Sequence, residues 1–511
     1  MKKCGLALGV LLLFSFAKGQ SLSEAALFNR CYSHLTGHPV PIGNAQMAQV
    51  RAGTLKAIDA CSAILDKTDL DPSGPLVNRG DAEARNVLSN FNSFHRSWFT
   101  ANTVEQIQDF NNEISMGTTD VYDSTEPALA ITRSVFMRGA RYSEVTTYDV
   151  GVHAIREQNE SIRAQIGWAV TFPGRRMFGN NGNLDQNIFN FRGPAAFTGG
   201  TDGSTILGMP KIEVGDLVGI RRTSEYFVVP NLSLEPLGRD LRGSDQPALN
   251  YSYNFYQTMG GGILGMPIYM LLNYGQTRAV HSNGALKLPR RWAQTNMQSL
   301  MCATLPALRE ADVAQYVIGN STTPFRNATS CVMCHANLDQ MASTIRNTVM
   351  GNSDFSQLST TGAGVAKTTL LLPRYNADLG AVAGWPAEPV ANYHRTLPQG
   401  KLFFRSMTGE LVNRPVNNVA ELGQAMAETK DLYYCAAKKY FEYFTGISVS
   451  MYDRTNPANA SLNATLSDEA VNDRKFVEAL GEELRSTQSV RLMMKKIMNS
   501  DYYRATNFRA K

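Results

Sequence analysis

A Cys-X-X-Cys-His pentad at residues 331–335 constrains this chain more than any other stretch. Residues three and four apart share a helical face, so Cys331, Cys334 and His335 are expected on one side of a helix. This spacing is the attachment signature of a c-type haem, in which two thiols bond the porphyrin and the imidazole ligates the iron. With the Cys and His content of this chain, chance produces the pentad in about one such sequence in a thousand, so it predicts one covalent haem c.

The first residues have the pattern of an export signal. Two lysines precede an apolar run from Leu6 to Phe16, and an Ala-Lys-Gly triplet at 17–19 places small residues where signal peptidase reads them. We therefore expect residues 1–19 to be a signal peptide, cleaved before Gln20, and a mature protein that is periplasmic or extracellular. An uncleaved anchor is the alternative, but the run is near half of the ~20 residues that a span requires.

The charge balance gives no reason to expect a nucleic-acid partner. Without the three lysines of residues 1–19, the chain has 46 basic and 44 acidic side chains. A nearly neutral chain has no strong electrostatic attraction for a phosphate backbone. The most apolar later stretch, from Ile263 to Leu272, is too short to cross a bilayer, so we expect no stable membrane insertion of the mature chain.

Four cysteines remain outside the pentad and the signal peptide: Cys31, Cys61, Cys302 and Cys435. In an oxidising compartment an even number favours two disulfides, for which three connectivities exist. We favour Cys31 with Cys61, both in the N-terminal helical region, and Cys302 with Cys435, which joins the haem segment to the C-terminal one. Buried free thiols are the alternative.

Residues 20–165 are predicted to form an N-terminal helical domain. Apolar residues recur there near helical spacing, and Ser89 to Phe99 carries a cluster of aromatic side chains. We interpret His95, within that cluster, as a core residue rather than a ligand. His34 and His38 flank a short turn, and two histidines without a carboxylate or thiolate nearby make a weak metal site.

The segment from 166 to 260 has a different character. Glycine clusters at 179–182, 199–203 and 260–262 separate short apolar pieces. We predict a loop-rich segment with few regular elements. The clusters lack the following Lys-Ser or Lys-Thr of a phosphate-binding loop.

The remaining chain is predicted to be a cytochrome c-like haem-binding domain at 261–375 and a C-terminal helical domain at 376–511. Apolar positions from Phe476 to Ile497 recur at helical spacing and predict one amphipathic helix. The methionines at 493, 494 and 498 are interpreted as core residues rather than copper ligands. The predicted fold class is thus mainly α and multidomain.

The order of motifs around the pentad resembles a family of secreted, planctomycete-type cytochrome c proteins. In that family a glycine-rich apolar stretch leads to an Arg-Arg-Trp-like segment, here Arg290-Arg291-Trp292, and then to the haem motif. An Asp-Pro-X-Gly turn usually follows. This chain keeps Asp339 but has Gln340 and Ala342 where proline and glycine are usual, so we expect a remodelled turn.

The resemblance extends to both sides of the haem segment and covers roughly residues 138–158 and 260–505. Upstream it includes Tyr142-Ser143-Glu144-Val145, and downstream Leu397-Pro398-Gln399-Gly400 and the closing Ser500-Asp501-Tyr502. It implies a domain with a single haem motif followed by a helical domain of unknown function.

His335 is predicted to be the proximal iron ligand, with its other ring nitrogen bonded to a backbone carbonyl. Candidates for the opposite axial position are Met350, His394 and Met407, and an open face is the fourth alternative. Methionine favours high-potential electron transfer, a second histidine a lower potential, and an open face small-ligand chemistry. A core role for Met407 is equally compatible with the sequence.

One pentad favours a monohaem electron carrier over the dihaem peroxidases, which need two attached haems. The expected partner is a redox protein or a small-molecule electron donor or acceptor. One alternative is a haem-dependent oxidoreductase whose long N-terminal part binds an extracytoplasmic substrate. The other is a surface or structural protein with a non-catalytic haem. Whether the protein is an enzyme is left open, because no further catalytic signature is present.

Overall fold

A computed structural model describes the chain in segments, and the fold is mainly helical, as the sequence predicted. The predicted signal peptide at 1–19 lies outside the described residues. The described residues are 20–71, 76–78, 80–99, 126–148, 150–154, 217–222, 226–233, 235–236, 250–256, 260–273, 284–321, 324–345, 349–354, 367–372 and 398–508.

The helices of these segments run from the first described residues to the last. They are α1 (Glu24–Thr36), α2 (Ala45–Arg51), α3 (Ala57–Asp66), α4 (Ala82–Ser97), α5 (Glu126–Phe136), α6 (Glu144–Thr147), α7 (Pro267–Leu272), α8 (Gly284–Thr295), α9 (Glu310–Val313), α10 (Pro324–Asn327), α11 (Thr329–Ala342), α12 (Val419–Ala427), α13 (Lys430–Thr445), α14 (Ala460–Ala464), α15 (Asp468–Thr487), α16 (Val490–Asn499) and α17 (Asp501–Arg504). A π-helical turn, Asn296–Leu300, continues α8. Within the described segments, no helix is long and apolar enough to cross a membrane.

The strands pair in small antiparallel sheets. They are β1 (Val150–Ala154), β2 (Leu217–Arg222), β3 (Tyr226–Ser233), β4 (Glu235–Pro236), β5 (Asn250–Tyr256), β6 (Val349–Asp354), β7 (Lys367–Leu372), β8 (Gly400–Arg405) and β9 (Leu411–Val416). β1 pairs with β2, β3 with β5, β6 with both β4 and β7, and β8 with β9.

The described residues between 166 and 260 include four strands, β2 to β5, while most of that segment lies outside the described residues, so the expectation of few regular elements stays a prediction. β3 and β5 are rich in valine and aromatic residues, the side chains that suit a pleated strand. The glycine clusters dominated the sequence pattern and concealed these short runs.

Both disulfides that the sequence favoured are present. Cys31 in α1 pairs with Cys61 in α3, at a Cα–Cα distance of 6.3 Å. Cys302 pairs with Cys435 in α13, at 5.1 Å, and so joins the segment before the pentad to the C-terminal helices.

One apolar core contains residues from each predicted helical domain and from the haem segment. Its fully buried members include Phe28 in α1, Phe91 in α4, Trp292 in α8, Met341 in α11 and Phe444 in α13. The domain boundaries at 165, 260 and 375 stay a prediction, but the helical segments on either side of the pentad pack against the same core.

Two chain segments far apart in sequence meet beside α17. The Leu22 N–H donates to the Arg504 carbonyl at 2.9 Å. The Arg30 guanidinium donates to the Tyr503 and Ala505 carbonyls, each at 2.7 Å. These bonds hold α1 to the C-terminal helices independently of the disulfides.

The amphipathic helix predicted from Phe476 to Ile497 is two helices, α15 and α16. Gln488 adopts a left-handed conformation with φ of 59° and ends α15, and the Ser489 side chain caps the start of α16. A pattern of apolar residues does not reveal such a break, because both helices bury the same kind of face. The predicted core methionines are confirmed as buried: Met493, Met494 and Met498.

The glycine-rich start of the haem segment packs closely against α6 and α12. The Gly262 N–H donates to the Tyr148 carbonyl at 2.7 Å, and Gly262 has a φ of 57°. In α12, a Cβ on Gly423 would overlap the Thr146 carbonyl. The two glycines thus permit a backbone approach that places the haem segment against the N-terminal region.

Candidate haem-attachment site

The pentad lies in α11, as its spacing predicted. On an ideal helix, Cys331, Cys334 and His335 fall within an arc of about 100°, while Val332 and Ala336 lie on another side. The structure places Val332 in the interior and leaves the other pentad residues half-buried. One face of α11 therefore presents two thiols and an imidazole together.

A small apolar cluster supports the opposite face of α11. It consists of Val332, Leu308, Val313 and Phe403, all buried, and is separate from the main core. Partly buried side chains complete it: Tyr316, Val317, Met333 and Ala336. The Asn337 amide also donates to the Phe403 carbonyl at 2.5 Å, which fixes α11 to β8. This support determines which side of α11 faces outward.

Cys331 and Cys334 are the free cysteines of the described residues. Burial raises the pKa of the Cys334 thiol, and the neighbouring Cys331 adds to that effect. Reactive dithiol sites have lowered pKa values, which make one thiol a nucleophilic thiolate. The Cys334 thiol is therefore not activated as a thiolate by its surroundings.

The His335 ring is held by an aromatic stack. The Phe325 ring in α10 lies 4.5 Å from it, centroid to centroid, with an interplanar angle of 22°. The Arg290 guanidinium in α8 lies 4.8 Å from the Phe325 centroid. This places α8, α10 and α11 in contact around one imidazole.

The two nitrogens of His335 differ in their surroundings. Nδ1 is shielded from solvent, makes no hydrogen bond within the described residues, and lies 3.4 Å from Asp339 Oδ2. The distance permits a contact, but its geometry is not that of a hydrogen bond. The expected bond from the ring to a backbone carbonyl is thus absent from the described residues. Because Nδ1 faces the interior, Nε2 is the nitrogen left to bind a metal.

Asp339 connects Arg290 to His335. Its two carboxylate oxygens accept from the Arg290 Nε and Nη2, at 2.5 and 3.0 Å. Bidentate pairing of this kind fixes the orientation of a carboxylate. Asp339 lies inside α11, which continues to Ala342, so the positions after the motif are helical.

The three candidate residues for the opposite axial position lie in different parts of the chain. Met407 is 4% exposed and belongs to the main core, where its backbone N–H donates to Asp431 and its carbonyl accepts from Arg474. This location favours the core role for Met407. Met350 lies in β6, and His394 lies outside the described residues. The axial ligand stays a prediction.

The other histidines of interest are structural. His95 is confirmed as a core residue, because its ring nitrogens lie 2.8 Å from the Thr132 hydroxyl and 2.6 Å from the Tyr440 hydroxyl. Burial lowers the pKa of His95 to about 3 and that of His34 to about 4. Within the described segments, no group of three or more His, Cys, Asp or Glu side chains is arranged to hold a metal ion.

The sequence identified Arg290 and Asp339 only as members of motifs and did not single out Phe325. It did not predict that they meet around His335, because 49 positions separate Arg290 from Asp339 and no spacing rule links them. The opposite charges of Arg290 and Asp339, which lies four positions after His335, were the signal that could have suggested this ion pair.

Comparisons with known proteins give no independent assignment. A scan against protein-family models finds no match, and searches of curated proteins and of solved structures find no significant match.

Proposed function

We propose that this protein is an exported monohaem c-type cytochrome that transfers single electrons through a covalently attached haem. The observation that carries the proposal is the outward face of α11. Two free thiols and an imidazole share that face, while an apolar cluster supports the other. In the described residues two cysteines stay reduced while four are paired, which agrees with two thiols kept for attachment of a haem.

The residues fit a c-type haem. Cys331 and Cys334 would form the two thioether bonds, and His335 would ligate the iron through Nε2. A bound haem would supply reversible one-electron chemistry between ferric and ferrous iron.

The surrounding side chains orient the imidazole. Asp339, held by Arg290, places a carboxylate 3.4 Å from His335 Nδ1, on the side of the ring away from the nitrogen that would bind the iron. The Phe325 ring covers one face of the imidazole and restricts its rotation. Asp339, Arg290 and Phe325 thus hold the imidazole in a fixed orientation.

Export is supported by two independent features. The pattern of residues 1–19 has the regions of a signal peptide. The two disulfides are compatible with an oxidising compartment, where such bonds persist. Haem attachment to a Cys-X-X-Cys-His motif and disulfide formation would then take place in the same compartment.

Haem staining after denaturing electrophoresis tests the proposal. Expressed with its leader in a host that matures cytochromes c, the wild type should retain haem, with one haem per chain in a pyridine haemochrome spectrum. The double variant C331S/C334S should lose the covalent haem. The matched control C31S/C61S also removes two thiols and should keep it. Wild-type protein free of haem under these conditions contradicts the proposal.

A haem-dependent oxidoreductase is the second candidate, favoured by the placement of Met407 in the main core. Without a methionine ligand, the opposite face of the haem could be open to a small molecule. A low-spin ferric spectrum without peroxide turnover supports the carrier. A high-spin ferric spectrum with turnover supports the enzyme.

A further inference from the structure

A cleft of about 770 Å³ opens beside the Cys302–Cys435 disulfide, away from the pentad. Its walls come from the end of α4, the π-helical turn after α8, α13 and the loop at 448–452. Apolar and aromatic side chains supply much of its lining: Phe94, Trp98, Tyr443, Met451 and Tyr452. None of its described lining residues belongs to α11. The volume lies in the range of sites that bind small organic molecules.

Lys439 is the exceptional residue of this cleft. Its half-buried Nζ lies 4.3 Å from the centroid of the Trp98 ring. Within the described segments, no carboxylate lies within ion-pair distance of that ammonium. The adjacent lysine differs, because Lys438 Nζ pairs with Glu442 Oε1 at 2.7 Å. The same oxygen accepts the Val449 N–H at 2.8 Å, so the nearest acidic side chain is already engaged.

The surroundings of Lys439 disfavour its charge. The pKa of Lys439 is lowered to about 7. Burial is the main cause, the charge of Lys438 contributes in the same direction, and Glu442 opposes the shift. From α4, His95 faces the same region as a neutral ring, and Trp98 contributes only its π-face. The Trp98 Nε1–H is also buried without an acceptor in the described residues. A negatively charged ligand would therefore compensate the Lys439 ammonium, with which no carboxylate of the described residues pairs.

We propose that this cleft binds small carboxylic acids that carry a planar apolar body, with the carboxylate paired to Lys439 and the body packed against the aromatic walls. Trp98, Phe94 and Tyr443 offer flat surfaces that suit an aromatic ring. In a pocket lined mostly by apolar side chains, a single charged group fixes the orientation of the ligand and provides specificity. The Lys439 ammonium would have this role for the ligand carboxylate. The site does not depend on the presence of a haem.

Isothermal titration of the full-length protein with benzoate tests this site, with benzamide and inorganic phosphate as comparison ligands. Benzoate should bind saturably, whereas benzamide lacks the charge, phosphate lacks the apolar body, and both should bind at least tenfold more weakly. Lys439→Met should weaken benzoate binding by about tenfold or more, the scale of one lost charged contact. Lys430→Met is the matched control, because Lys430 lies on the same helix but pairs with Glu482 outside the cleft.

The pH dependence provides a second readout. Above neutral pH, Lys439 must take up a proton to pair with the carboxylate, so benzoate affinity should fall by up to about tenfold per pH unit. Lys439→Arg stays protonated and should bind with little pH dependence, which keeps the test valid if the methionine variant folds poorly. Absent benzoate binding, equal binding of benzamide or phosphate, or unchanged affinity in Lys439→Met would each overturn the proposal.

Discussion

At the scale of single residues, the environment of His335 is set by one carboxylate. Asp339 lies 3.4 Å from Nδ1 and is fixed by the Arg290 guanidinium. In a haem protein, a negative charge beside the second ring nitrogen makes the imidazole a stronger donor and stabilises ferric iron. The side chains of the Arg290–Asp339 ion pair are 41% and 35% exposed. Solvent screening therefore limits the contribution of this ion pair to stability.

We therefore expect Asp339→Asn to raise the reduction potential of the haem protein while changing the free energy of unfolding by less than about 1 kcal/mol. Potentiometric titration measures the first quantity and urea unfolding the second. Asp66→Asn, which removes an exposed ion pair with Lys495, is the control and should leave the potential unchanged. An unchanged potential in Asp339→Asn would show that the carboxylate does not act on the ligand.

Buried histidines make the fold sensitive to acid. His95 is fully buried and its folded pKa is lowered to about 3, below the value of about 6.5 in an unfolded chain. Protonation therefore favours the unfolded chain. The contribution of His95 is complete above the unfolded pKa and declines as the pH falls from there toward the folded pKa.

When the pH falls from about 7 to about 5, His95 should lower the free energy of unfolding of the wild type by about 2 kcal/mol. The variant His95→Gln should be less stable at neutral pH, since it loses bonds to Thr132 and Tyr440, but should lose about 2 kcal/mol less on acidification. Urea unfolding at both pH values measures this difference. Parallel pH profiles of the two proteins would refute a neutral buried His95.

At the scale of secondary-structure elements, close backbone contacts fix how α12 sits on the N-terminal region. Gly423 lies in α12, where alanine would normally be favoured by about 1 kcal/mol. A Cβ there would overlap the Thr146 carbonyl, which is backbone and cannot easily move aside. Packing thus overrides helix propensity at this position.

Gly423→Ala should destabilise the protein by about 1–3 kcal/mol despite the gain in helix propensity, because α12 must move away from α6. Thermal or urea unfolding measures the loss. Gly319→Ala is the control, because a Cβ there meets no atom and the backbone has an ordinary φ. A stabilised Gly423→Ala variant would mean that the close contact between α6 and α12 does not form.

The elements also show where sequence patterns reach their limit. Helical spacing predicted a helical N-terminal region, because burial of an apolar face imposes a period that the sequence must carry. The break at Gln488 is different. Its side chain accepts from the Ser143 N–H at 3.0 Å and donates to the Tyr433 hydroxyl at 3.1 Å, partners that are distant in sequence.

At the scale of the whole molecule, the disulfides close loops of different length. Cys31 and Cys61 are separated by 30 positions, and Cys302 and Cys435 by 133. Closing a longer loop removes more conformational freedom from the unfolded chain, so its bond should stabilise the fold more. The longer loop also contains the pentad, which connects redox conditions to the stability of the candidate site.

In the loop-entropy model, C31S/C61S should lose about 4 kcal/mol of unfolding free energy and C302S/C435S about 5 kcal/mol. Urea unfolding of the two double variants, with and without reductant, measures both losses. Reductant should destabilise each variant less than the wild type, since one bond is already missing. A larger loss for C31S/C61S than for C302S/C435S would show that loop length does not set the order.

The sequence by itself determined the local chemistry. The pentad, the spacing that puts two thiols and an imidazole on one helical face, and the mainly helical class follow from rules that act over a few residues or over composition. These features could be predicted because each depends on residues that are close together in the sequence.

Only the tertiary structure decided which distant side chains share a site. It brought Arg290, Phe325 and Asp339 to His335, placed Met407 in the main core, and placed Lys439 in a cleft where no carboxylate of the described residues pairs with it. Each outcome depends on how helices pack, and packing joins residues by shape and burial rather than by spacing. A single sequence carries no period or motif from which such contacts could be predicted.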